Sequence, residues 1–138
     1  MDKEKWVKWH PSSDLDDKYY IDSIIDTIDE FQILFVSTNS NRKLRILFEH
    51  GVDVYRCTEE RFRLKLISKL NREYGNNFYS QWTFFRVENS DYFKWLEKES
   101  DGLSEPFFAG KGIHLSFITD DLILDVISFY EPKIEFVD

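Results

Sequence analysis

Apolar positions along this chain fall into runs whose spacing switches between two and about 3.6 residues, and each switch marks a change of element. From Lys43 to Glu49 the alternation is strict: Leu44, Ile46 and Phe48 share one face, and Lys43, Arg45, Leu47 and Glu49 the other, which predicts a half-buried strand. Phe31 to Ser37 is apolar on both faces, as a central strand is. Asn39-Ser40-Asn41 and His50-Gly51 read as turns, and Val52 to Cys57 as a third strand. Together they predict a three-stranded antiparallel meander.

Helical spacing governs three other stretches. Ser13 reads as an N-cap, with Asp14, Asp16 and Asp17 in the first turn and Tyr20, Ile21, Ile24, Ile25 and Ile28 following, which predicts a helix over 14–29. Thr58 reads as the cap of a second helix, with Glu59 and Glu60 in its first turn, a stripe of Phe62, Leu66, Ile67, Leu70 and Tyr74, and Gly75 as its end. Ser90 and Asp91 open a third, with Tyr92, Phe93, Trp95 and Leu96 partly buried, ending near Gly102. Trp82 to Val87, Ile113 to Ile118 and Lys133 to Val137 read as strands. The run Leu122 to Phe129 fits strand or helix by spacing, and its β-branched content with the Glu131-Pro132 turn favours strand. Residues 1–12 read as an irregular arm docked by Trp6 and Trp9, and 102–112, with Gly102, Pro106, Gly110 and Gly112, as one long surface loop. The expectation is a single α+β domain over residues 1–138, an antiparallel sheet carrying about three helices.

Composition supports a true core. Of 138 residues 42% are hydrophobic and 17% aromatic, with 13 Phe, 7 Tyr and 4 Trp, enough for one domain without covalent staples. Cys57 is the single cysteine, so no disulfide forms within the chain. The opening Met1-Asp2-Lys3-Glu4-Lys5-Trp6 has no apolar stretch and predicts no signal peptide, and no run approaches the roughly 18 apolar residues of a membrane span. The expected location is the cytoplasm, with no membrane partner.

Net charge is −8, which argues against a nucleic-acid partner. The charge is uneven: residues 1–13 carry +1, 14–30 carry −6, 31–96 carry +4 and 97–138 carry −7. A basic middle between acidic ends is either a solvated, internally paired surface or a polarity that faces a partner.

Candidate chemistry is sparse. His10, His50 and His114 share no metal-ligand spacing, so neither metal nor cofactor is expected. Cys57 precedes an expected helix start, a position that lowers a thiol pKa, yet a nucleophile also needs a base, and a cysteine at a strand end is ordinarily a small buried hydrophobe. Asp16/Asp17, Asp120/Asp121 and Glu97/Glu99 offer carboxylate pairs, but among 26 acidic residues such pairs arise by chance. Arg61, Lys65, Lys69 and Arg72 recur at steps of four, four and three, an ordered basic stripe that is either a solvated face or a dock for an acidic partner or phosphate. Trp82-Thr83-Phe84-Phe85-Arg86 could stack bases, but core packing suits it better at this net charge. Neither GxxxxGK[ST] nor GxGxxG occurs.

Several stretches carry a resemblance: Val54-Tyr55-Arg56-Cys57-Thr58-Glu59-Glu60, Tyr74-Gly75, Phe78 to Ser90, Tyr92-Phe93-Lys94-Trp95-Leu96, and Asp125 to Lys133. Over roughly residues 52–135 the chain resembles a family of small acidic Bacillus-type proteins. In size and acidity it is similar to bacterial immunity proteins that neutralise secreted polymorphic toxins. The resemblance implies a non-enzymatic inhibitor and assigns no catalytic residues.

The leading expectation is therefore a protein-binding domain that blocks a basic toxin, such as a nuclease, by electrostatic complementarity. Charge density points to Asp14, Asp16, Asp17, Asp22, Asp26, Asp29, Asp120 and Asp121 as its contacts. The alternatives are a self-associating structural or regulatory module, joined by an exposed strand or the Trp6/Trp9 arm, and a small enzyme using Cys57 or a carboxylate pair.

Overall fold

The computed structural model describes residues 3–104 and 111–137. Its elements are β1 (Lys5–Lys8), β2 (Tyr19–Asp26), β3 (Phe31–Ser37), β4 (Lys43–Phe48), β5 (Val54–Glu59), α1 (Leu64–Tyr74), β6 (Phe84–Glu88), α2 (Asp91–Glu99), β7 (Ile113–Ile118), β8 (Leu122–Ser128) and β9 (Lys133–Val137), with one 3-10 turn at Glu60–Phe62. The strands form two antiparallel sheets, ordered β1-β6-β7-β8-β5 and β2-β3-β4-β9.

The two sheets pack face to face through aromatic rings. Phe35 of β3 lies 5.3 Å from Phe84 of β6 and 5.4 Å from Phe117 of β7, and Tyr19 lies 5.3 Å from Phe84. Phe35, Phe84 and Phe117 are fully buried, each worth about 1.5–3 kcal/mol of transfer free energy. The opposite face of the five-stranded sheet carries Phe85, Val87, His114 and Ile127, and both helices cover it: Phe78, just past α1, meets Phe85 at 5.0 Å, and Tyr92 of α2 meets His114 at 5.5 Å. The layers are thus sheet, sheet, helices. Among the described residues no helix is long and apolar enough to cross a membrane.

The α+β character and the antiparallel strands match the sequence expectation; the number of helices does not. Two α-helices, not about three, occur among the described residues. The stretch 14–29 is not a helix. Its second half is β2, hydrogen-bonded to β3 along its length with a bulge between Ile21 and Ser23. The bulge shifts side-chain parity, so the inward residues are Tyr19, Ile21 and Ile24, a 2-then-3 spacing that imitates a helix. Ile28, expected on the buried stripe, is 99% exposed in the following turn.

The meander is β2-β3-β4 rather than β3-β4-β5. After Gly51 the chain crosses to the other sheet, where β5 pairs with β8, and β9 takes the place beside β4. Nor is the arm irregular throughout: β1 pairs with β6, and Trp6 is 3% exposed with its backbone N–H donating to the Tyr74 hydroxyl at 3.0 Å. Thr58 caps no helix, because it sits in β5 opposite Ile123; α1 begins six residues later, buries Ile67 and Leu70, and ends at Gly75 with φ 92°. The Ser90 cap stands as expected, its Oγ accepting from the Phe93 N–H at 3.0 Å. Most of the expected loop at 102–112 lies outside the described residues.

Candidate functional site

Two buried polar centres organise the molecule. Asp125 interrupts the apolar run of β8 and is fully buried. Its Oδ1 lies 2.7 Å from Nε2 of His114 on β7, and its Oδ2 accepts from Arg56 Nε of β5 at 2.9 Å and from Arg63, immediately before α1, at 3.0 Å. Burial alone would raise this carboxyl. The hydrogen bond from His114 and the charges of His114, Arg56 and Arg63 overcome that and hold it well below the usual carboxylate range. Asp125 is therefore an acceptor, so His114 donates through Nε2 and presents Nδ1 to the Ser90 hydroxyl, 2.7 Å away.

Serine, histidine and aspartate in a line invite comparison with a hydrolytic triad. Here Ser90 is 6% exposed, and its oxygen also caps α2. With His114 it borders an open cavity of about 460 Å³, while its oxygen holds the first turn of α2. What the arrangement does is tie β5, β7, β8 and the starts of α1 and α2 to a single carboxylate.

The second centre is Lys18, 8% exposed, between the last residues of the inter-sheet connection and β2. Its ammonium donates to three backbone carbonyls, Tyr79 at 2.7 Å, Trp82 at 3.1 Å and Ile118 at 2.8 Å. Burial lowers its pKa to about 8, although the charges of Asp120 and Glu60 pull the other way.

Lys18 also lies near several of the sequence-selected acids. Asp14, Asp16 and Asp17 precede it, Asp120 and Asp121 form the β7–β8 turn beyond Ile118, and the Glu60 N–H donates to the Asp121 carbonyl at 2.8 Å. Asp16 accepts from the Ser40 hydroxyl at 2.6 Å, and hydrogen bonds from Ser37 and Ser40 lower its carboxyl, the reverse of what a general acid needs. Glu59, Glu60, Arg61, Asp120, Asp121 and Leu122 line an open groove of about 450 Å³. The other three acids stand apart. Asp22 shares a small cleft on the outer face of the four-stranded sheet with Lys43 and Arg45, and Asp26 and Asp29 lie at the far end of β2, about 23 Å along the strand from Tyr19.

The remaining candidates are dispersed. His10 packs on Trp82 at 4.7 Å and His50 on Tyr130 at 5.6 Å, both remote in the fold from the His114–Asp125 pair. Among the described residues no group of three or more His, Cys, Asp and Glu is placed to hold a metal ion. Cys57 is exposed on β5, and its thiol pKa is raised by burial and by the Asp125 charge, not lowered. The basic stripe is broken: Arg61 lies outside α1 and pairs with Glu59 at 2.7 Å, and Lys69 pairs with Glu4 at 3.1 Å. Trp82, Phe84 and Phe85 are core residues.

Sequence reasoning missed Asp125, His114 and Lys18 as organising groups. Asp125 had a signal, a lone charge inside the apolar run Leu122–Phe129. No family model, curated protein or solved structure matches this chain.

Proposed function

We propose that this domain is a non-enzymatic binding protein that neutralises a basic toxin, as an immunity protein does. The observation that carries the reading is the grouping of Glu59, Glu60, Asp120 and Asp121 around one open groove, beside Lys18, which Asp14, Asp16 and Asp17 precede in the chain. Lys18 is buried and Arg61 is paired with Glu59, so the open groove presents the negative charge of Glu60, Asp120 and Asp121 to solvent, while Arg42 lies against Asp14 and Asp16 at its flank. A nuclease holds a phosphate backbone in a basic cleft, and such a surface fits that cleft by charge, speeding encounter and setting register. The contact set therefore narrows from eight aspartates to Asp14, Asp16, Asp17, Asp120 and Asp121, joined by Glu59 and Glu60.

The test is capture of basic proteins, including externally delivered toxin domains, on immobilised wild type and on two charge-reversed variants. Asp17→Lys with Asp120→Lys and Asp121→Lys is expected to abolish a salt-sensitive capture that Asp26→Lys with Asp29→Lys preserves. Equal capture by all three proteins, or capture indifferent to salt, overturns the reading.

A further inference from the structure

Sheet edges normally carry devices that stop them pairing with another chain. Three of the four edges here do. β1 is four residues long with Lys5 and Lys8 at its ends, β2 is bulged at Ile21/Ser23, and β9 follows Pro132 and opens on Lys133. The fourth, β5, is the least guarded: six residues in unbroken register with β8, without Lys, Pro or bulge, its Tyr55, Arg56 and Cys57 all exposed and its only charges Arg56 and Glu59.

The two ends of β5 are complementary to each other. At its start Asp53, Val54, Tyr55, Arg56, Tyr92 and Trp95 line an open groove of about 410 Å³, where Trp95 is 51% exposed and stacks on Tyr92 at 5.7 Å. Just past its end Phe62 and Leu64 are 68% and 66% exposed. The groove is formed with α2 and the knob leads into α1, so both flank the helix-covered face of the sheet.

We propose that two copies of this chain pair antiparallel through β5 about a two-fold axis at Cys57, forming one ten-stranded sheet. Reversing one strand against the other carries the Phe62 knob of each copy to the aromatic groove of its mate, so the contact is made twice by symmetry. With Cys57 opposite the partner's Cys57, Arg56 faces the partner's Thr58 and Tyr55 faces the partner's Glu59. Side chains directly opposite share a face in this register, and none of these pairs sets like charges against each other. A second copy is thus the occupant that the strand itself specifies. Because each copy carries −8, salt strengthens the pairing, the opposite of its effect on a basic partner.

The test uses the whole chain alone. Light scattering behind size exclusion, from low-micromolar to near-millimolar protein in low and high salt, is expected to show the mass rising to twice the monomer's, sooner in high salt. A short bis-maleimide is expected to join Cys57 to the partner's Cys57. Phe62→Asp, an exposed change that leaves the thermal midpoint near the wild type's, is expected to weaken dimerisation about tenfold or more. A monomer at every concentration, or a dimer that resists Cys57 cross-linking and ignores Phe62→Asp, overturns the proposal.

Discussion

The ammonium of Lys18 lies 2.8 Å from the carbonyl oxygen of Ile118, 100 positions further along the chain. This contact and its two companions close the end of the sandwich with one side chain. Lys18→Met leaves the carbonyls of Tyr79, Trp82 and Ile118 without their donor and is expected to cost about 3 kcal/mol or more, read from urea unfolding. A second signature is pH. With the folded pKa lowered to about 8 from 10.5, the unfolded chain holds this proton between those values and the folded chain does not. Stability from this group therefore rises as pH climbs from 8 to 10.5, by on the order of 3 kcal/mol. The wild type should gain on Lys18→Met over that interval, and parallel pH profiles would show the ammonium to be solvated instead.

The Asp125 carboxylate predicts a slope of the same sign at the other end of the scale, stability rising with pH. Its folded pKa is depressed, so its contribution is fully present above the ordinary carboxylate range and is lost as pH falls below about 4. Asp125→Asn strands Arg63 and His114 in a dry site and is expected to cost about 3–5 kcal/mol at neutral pH, with a flatter acid limb. Ser90→Ala is expected to cost about 1–2 kcal/mol, as loss of a helix cap does. Calorimetry from pH 3 to 7 checks both. If Ser90→Ala instead abolished a hydrolytic activity while leaving the thermal midpoint unchanged, the structural account of this line of residues would fail.

Legibility in the sequence followed how local each determinant is. The alternation of Leu44, Ile46 and Phe48, the Ser90 cap and the Gly75 stop depend on neighbours within a few residues, and all three are where the pattern puts them. The bulge at Ile21/Ser23 is set by pairing with β3, and without that knowledge the apolar spacing of 21, 24 and 28 reads as a helix. The crossing of β5 to the other sheet is expressed in contacts remote in sequence: it pairs with β8, and Arg56 reaches Asp125, 69 positions away. Lys18 was illegible for a different reason: its partners are backbone carbonyls, which every residue has. The acids at 14–17 and 120–121 were visible as charge, but only the fold separates them from Asp22, Asp26 and Asp29.

β1 offers a test of how much the amino-terminal segment contributes. Trp6 packs edge-on against Phe85 at 5.9 Å, and its indole N–H donates to Glu4 at 2.9 Å. Trp6→Ala is expected to cost about 3–5 kcal/mol, the range for emptying an aromatic site in a core. An irregular tail would lose almost nothing, so guanidinium unfolding of this one variant distinguishes a strand from an arm.

Cys57 gives the last prediction, because reactivity and accessibility separate there. The thiol is exposed, yet burial of part of the group and the nearby Asp125 charge raise its pKa, so it stays protonated at neutral pH. A disulfide reagent should therefore label it to completion but more slowly than a free cysteine at pH 7, with the rate climbing past pH 9. Labelling faster than free cysteine at pH 7 would revive the thiol-enzyme alternative. Dilute protein isolates this chemical effect. If β5 pairs with a second copy, the same reaction slows further as protein concentration rises and recovers in Phe62→Asp, since the thiol on the two-fold axis is then covered by its own mate.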